Sequence, residues 1–223
     1  MSVSTATDDQ PLARWLRMFS TMRSTGASAA RNDGGRRVRI SKNIRVSSTI
    51  VMIRALLVDR DGGAWTPMAE IMLLYAARIM HVDGLIRPAL EEGKIVLCDR
   101  FSDSTRAYQG YGHGMDMETI DRVDALSLGG FRPDLTFILD VPPREGLARA
   151  GRRQGREDRF ERLDIGFHER LRAGYLEIAA REPQRCVVVD AAADADAVFA
   201  ALSAHVMDRL QKTAPGEKHV RGI

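Results

Sequence analysis

Cysteine is nearly absent from this chain: of 223 residues only Cys98 and Cys186 carry a thiol. Both sit inside apolar runs, which excludes a disulfide framework and suits buried thiols in a reducing compartment, the cytoplasm. No zinc-ligand spacing exists around either one. Long apolar runs are missing as well. No stretch approaches the roughly 20 residues that cross a bilayer, and no secretory apolar segment precedes a small-residue cleavage site, so a membrane partner is not expected. Acidic residues are scarce at the amino terminus, where residues 1–50 hold nine Lys plus Arg against three Asp. The formal charge of the whole chain is only +3, so the remainder is net negative. A nucleic-acid binder carries its positive stripe on the folded body, and that function class is set aside. Glycine and lysine are thin in the same segment, with only Gly26, Gly34, Gly35 and Lys42. No Gly-x-x-x-x-Gly-Lys-Ser/Thr phosphate loop can be drawn from them.

What is present is enough apolar residue, 44% of the chain, to bury one ordinary core. The composition divides the chain into a basic, poorly ordered segment over 1–50, a domain over 51–212 and a flexible tail over 213–223. Pro67 suits a first helical position, and Met68, Ile71, Met72, Tyr75, Ile79, Val82 and Ile86 recur at helical spacing. Pro88 kinks or restarts that helix, and Gly93 ends it. Glu70, Leu74 and Arg78 share an adjoining ridge, whereas Tyr75 faces the core.

Three apolar runs, Ile95–Cys98, Leu135–Leu139 and Cys186–Val189, each end in an aspartate: Asp99, Asp140 and Asp190. Helical stretches over 118–128 and 167–180 separate them, which predicts parallel strands joined by crossovers and a sheet covered on both faces. Ligands bind at the carboxyl ends of such strands. The candidate site is therefore Asp99-Arg100-Phe101-Ser102-Asp103-Ser104-Thr105-Arg106-Ala107-Tyr108-Gln109-Gly110. A second polar stretch, with Arg149, Arg152, Arg153, Arg156 and Arg159 among glycines, reads either as a lid over polyphosphate or as a solvated charged turn. Asp140 and Asp190 read as plain strand-end caps.

From Ile53 to about Ala192 these residues resemble bacterial thymidylate kinases. The resemblance rests on Asp99-Arg100-Phe101, Ser104 and Ala107-Tyr108-Gln109-Gly110, on Ala76-Ala77-Arg78, on Arg132-Pro133-Asp134-Leu135-Thr136, and on Asp158-Arg159-Phe160-Glu161. It implies an α/β, P-loop kinase-like three-layer sandwich with a mainly parallel sheet. It also implies ATP as phosphoryl donor, dTMP as acceptor, Mg2+ and a homodimer. In that reading Arg100 holds the acceptor's monophosphate, and Asp99 positions that site or its magnesium. Arg78 meets the thymine edge, while Leu74, Ser104, Thr105, Tyr108 and Gln109 line the base and sugar. The lid arginines, Arg153 first, stabilise charge on the transferred group. Phosphoryl transfer suits this inventory, because it asks for cationic clamps and alignment rather than a nucleophilic triad.

Two departures stand out. Leu74 occupies a place where the family has an aromatic that stacks on thymine, a loss of about 0.5–1.5 kcal/mol. The phosphate loop and the central strand that carries it are also missing, so the strands ending at Asp99 and Asp140 lack the partner expected between them. An upstream composition of Arg, Ser, Ala and Gly without hydrophobic period fits translation of that region in another frame. Alternative readings are a remnant or pseudokinase that retains only the dTMP-binding half, and another small deoxynucleotide or deoxynucleoside kinase.

Overall fold

The computed structural model describes residues 3–6, 52–53, 56–57, 65–150 and 162–212. Most of the basic segment, the lid residues Arg152, Arg153, Arg156 and Arg159, and the tail over 213–223 lie outside the described residues.

Helix α1 spans Pro67–His81, with Pro67 at its first position and the Thr66 hydroxyl accepting from the Ala69 N–H at 3.3 Å. The helix does not stop at His81. It widens into a π-helical turn over Val82–Ile86 and resumes as α2 over Arg87–Glu91, with Pro88 in the first turn of that restart. Gly93 follows with φ of 73°, a conformation that glycine adopts without steric penalty. Strand β2, Ile95–Cys98, then leads into a short helix α3, Ser102–Thr105, and a second π-helical segment, Arg106–Gly112. Helix α4, Met117–Leu128, is capped by Asp116 and ended by Gly129 at φ of 57°. Strand β3, Thr136–Asp140, helix α5, Pro143–Ala150, helix α6, Ile165–Arg181, strand β4, Cys186–Asp190, and helix α7, Ala195–Lys212, complete the described order.

Strands β3 and β4 pair in parallel, Thr136 opposite Cys186 through Asp140 opposite Asp190, as the crossover argument predicts. The class is α/β, but the sheet is divided. Among the described residues β2 and β3 are not hydrogen-bonded to each other, so Asp99 does not share a sheet edge with Asp140 and Asp190. Strand β1, Val3–Ala6, lies instead on β2, antiparallel, with Val3 opposite Cys98 and Ala6 opposite Ile95. No strand is expected there from the sequence, because four residues of Val-Ser-Thr-Ala carry too little pattern. An unpaired strand edge accepts whatever backbone reaches it.

Two cores result. Ile71, Tyr75, Val82, Ile86, Phe101, Ile120 and Leu128 form one. Ala107, Ile138, Phe167, Leu171, Ile178, Ala179 and Cys186 form the other. The Asp99–Gly110 stretch passes from the first core, through Phe101, into the second, through Ala107, and this fixes its backbone at both ends.

Candidate acceptor site

The stretch begins with a backbone irregularity. Arg100 has φ of 67°, the only left-handed non-glycine conformation among the described residues. For an L-residue with a Cβ that conformation is uphill by about 1–2 kcal/mol, and such residues cluster at functional sites. The turn directs the Arg100 side chain onto Tyr108, with its guanidinium carbon 4.9 Å from the ring centroid. The residue as a whole is exposed. Partial burial of the head works against its charge, but the phenol oxygens of Tyr108 and Tyr175, together with Asp99, outweigh it and hold the group above its ordinary range.

Arg78 reaches the same stretch from α1 and is 1% exposed. Its Nη2 donates to the Phe101 carbonyl at 3.3 Å and to the Thr105 hydroxyl at 3.1 Å. The guanidinium lies 4.5 Å from the Tyr75 ring centroid and 5.5 Å from that of Phe101. Its Nε and Nη1 are buried without a partner, and so is Oε1 of Gln109. Burial pulls the Arg78 pKa down, with Tyr75 and Asp124 opposing. Buried polar atoms are nearly always paired in folded proteins, so these orphaned donors and this acceptor are exceptions to the rule.

The structure thus brings Arg78 together with Phe101 and Thr105, Arg100 with Tyr108, and Ser104 with Tyr175. Leu74 is half-buried on α1, and Asp99 is exposed at the end of β2. Tyr75 faces the core as its spacing predicts, donating its phenol to Asp124 at 2.8 Å. Asp140 is held by both Nε and Nη2 of Arg172, each at 2.7 Å, and that pairing keeps its carboxyl below the usual range. Asp190 accepts from the Ala192 N–H at 2.9 Å. Both serve structure, as strand-end caps. Arg149 donates to the carbonyls of Ala191, at 2.7 Å, and Ala192, at 3.1 Å, which ties the start of the arginine-rich stretch to the loop after β4.

Several residues that hold the site in place carry no signal in the sequence. Asp103, 4% exposed, receives Arg185 through two hydrogen bonds of 2.8 Å, and Arg106 lies beside it at 3.6 Å. Arg185 also donates to the Thr136 hydroxyl at 2.7 Å and to Glu182 at 2.8 Å. Tyr175 of α6 donates to the Ser104 hydroxyl at 2.9 Å across 71 residues of chain. Charged and phenolic residues of this kind look like surface positions until tertiary contacts are known.

Three comparisons bear on this geometry. A family model described as thymidylate kinase matches residues 29–202, beginning upstream of the motifs themselves. The thymidylate kinase of Caulobacter vibrioides is 54% identical over 158 residues, covering 71% of this chain and 76% of that protein. The thymidylate kinase of Trichlorobacter lovleyi is 44% identical over 188 residues, covering 82% of this chain and 89% of that one. A crystal structure of thymidylate kinase from Ehrlichia chaffeensis superposes with a TM-score of 0.52 at 32% identity, over 72% of this chain and 73% of that chain. With a family model over most of its length and relatives at 54% and 44% identity over more than two thirds of both chains, this chain belongs to the thymidylate kinase family.

Proposed function

We propose that this chain is a nucleoside monophosphate kinase by descent, of the kind that transfers the ATP γ-phosphoryl group to dTMP to give dTDP, and that its described residues form the acceptor half of that reaction. The observation that carries the reading is Arg100: a left-handed residue at the end of β2, its guanidinium laid on Tyr108. A guanidinium so placed presents its remaining N–H groups to a phosphate as a planar fork. Arg78 supplies the base end, its Nε and Nη1 buried without a protein partner and so the groups that a carbonyl of the thymine ring would satisfy. Thr105 holds the Arg78 head in register, and Ser104, Tyr108, Gln109 and Leu74 close the walls.

Asp99 suits a magnesium ion in a limited sense. Mg2+ is commonly bound by one or two carboxylates with phosphates and water, and Asp99 is a single exposed carboxylate at the strand end. No cluster of three or more metal-ligating side chains occurs among the described residues. The ion would therefore come mainly on the nucleotide phosphates. Assembly as a homodimer follows from kinship in the same way. The donor nucleotide is less well served, because residues 1–50 contain no glycine-rich loop with lysine. That feature favours a second reading, a chain that binds dTMP and turns nothing over.

Titration calorimetry with dTMP and with ATP, followed by a coupled kinase assay, separates the two. Turnover supports the first reading, and dTMP binding without ATP binding or turnover supports the second. Arg100→Ala is expected to abolish dTMP binding in either case. Unchanged affinity in that variant overturns the acceptor-site assignment.

A further inference from the structure

Asp124 lies on α4, and it is only 2% exposed. A carboxylate so deep is costly unless it is paired, and both oxygens of this one face a partner. Oδ1 accepts from the Tyr75 phenol at 2.8 Å, and Oδ2 stands 3.7 Å from Nη2 of Arg106. Tyr75 is itself 1% exposed, in the core cluster that holds Ile71 and Phe101. Burial first, and the Asp124 charge second, hold its phenol above the ordinary range, so it remains a donor. The ring of Tyr75 has a further neighbour in Arg78, three residues along α1, a spacing that brings side chains together on a helix surface. The Arg78 guanidinium carbon lies 4.5 Å from that ring's centroid, where the quadrupole of the ring attracts a cation. Both hydrogen bonds of the Arg78 head, to the Phe101 carbonyl and the Thr105 hydroxyl, use Nη2. One anchored nitrogen fixes a point and leaves the head able to pivot. The ring against which it lies fixes its plane.

We propose that Tyr75 and Asp124 are positioning residues that set the Arg78 guanidinium for the acceptor's base. Tyr75 supplies the surface against which the head lies, and Asp124 holds that surface still by anchoring the phenol to a second helix. Arg106 sets a positive charge beside the other oxygen of Asp124 and is itself held by Asp121, 2.8 Å from Nε and 2.7 Å from Nη2. The inference rests on the acceptor reading above, in which Arg78 meets the thymine ring, and adds two residues and a role to it. An arginine has four side-chain torsions to settle, and a ligand gains most when they are settled before it arrives. Tyr75 and Asp124 act on the base only by way of Arg78, and this dependence makes the role testable.

The test is calorimetry with dTMP on four proteins: the parent chain, Tyr75→Phe, Arg78→Met and the double variant. The phenyl ring keeps the packing and removes only the oxygen, and thermal melting of all four checks that the fold is kept. The expected result is a loss of dTMP affinity on the order of three- to tenfold for Tyr75→Phe in the parent, the range of one hydrogen bond, and no further loss when the same change is made in Arg78→Met. Equal losses in the two backgrounds overturn the proposal, since that is how a purely structural disturbance of the pocket reads. So does unchanged affinity of Tyr75→Phe in the parent. Asp124→Asn, which keeps the shape and removes the charge, is held to the same outcomes and serves if Tyr75→Phe does not fold. If the parent chain itself binds no dTMP, the acceptor reading falls and this proposal falls with it. A parent that binds and a Tyr75→Phe variant that binds equally well removes this proposal alone.

Discussion

On the proposed reading, Arg78 is a residue at which stability and binding pull in opposite directions. Its head is 1% exposed, and two of its donor groups have no partner. Removing a guanidinium from water is expensive, and unpaired donors recover none of that cost, whereas an apolar side chain of similar volume in such a place is often neutral or stabilising by about 1–4 kcal/mol. Arg78→Met is therefore expected to melt at or above the temperature of the parent chain while losing at least about tenfold in dTMP affinity. A variant with lowered melting temperature and full affinity would assign Arg78 to the core and remove it from the site. Sequence reasoning selected this residue by its place in an Ala-Ala-Arg helix, but its burial was not legible there. An arginine four residues beyond Leu74 on an amphipathic helix looks the same whether it faces water or a closed pocket. Ser104 stood out for the same motif-based reason, while its hydrogen-bond partner Tyr175 did not.

At the scale of elements, the two small sheets share no backbone hydrogen bond among the described residues, so side chains must join them. Asp103 and Arg185 form one such link, running from the helix after β2 to the residue just before β4, with the Thr136 hydroxyl at the start of β3 held by the same guanidinium. Breaking a buried pair from one side leaves its partner charged and unpaired, which typically destabilises by about 3–5 kcal/mol. Asp103→Ala should lose stability on that order in urea titration, and Asp103→Ala combined with Arg185→Met should recover part of it. A double variant no better than the single would mean that the pair contributes nothing as a pair.

Most regular elements could be read from the chain at this scale. Pro67 and Gly93 marked the limits of the long helical stretch, and Pro88 its restart. Continuous apolar runs ending in aspartate gave three strands within a residue of their observed bounds. The π-helical turns at Val82–Ile86 and Arg106–Gly112 could not be read. A single residue of extra winding leaves the spacing of apolar positions almost unchanged, and only the hydrogen bonds reveal it, such as His113 N–H to the Tyr108 carbonyl at 2.9 Å. Helices α5 and α7 carried too little periodicity to stand out.

For the molecule as a whole, the balance between the two halves of the proposed reaction is uneven. The acceptor side is built from elements on both cores, and the donor side has no visible phosphate loop in the sequence. The family match nonetheless begins at residue 29, inside the basic segment and ahead of the motifs. If that segment arises from a change of frame, one of the other two frames of the gene upstream of Ile53 encodes a glycine-rich loop followed by Lys-Ser or Lys-Thr. Reading those nucleotides decides the matter, and absence of the loop from both frames ends the idea. That a phosphate loop was to be expected was legible only through kinship, since no local pattern announces it.

The left-handed backbone at Arg100 sets folding against the proposed function. Glycine or asparagine would occupy that turn with less strain, so folding alone favours replacing the arginine. On the acceptor reading, that strain is tolerated because the guanidinium it places meets a phosphate.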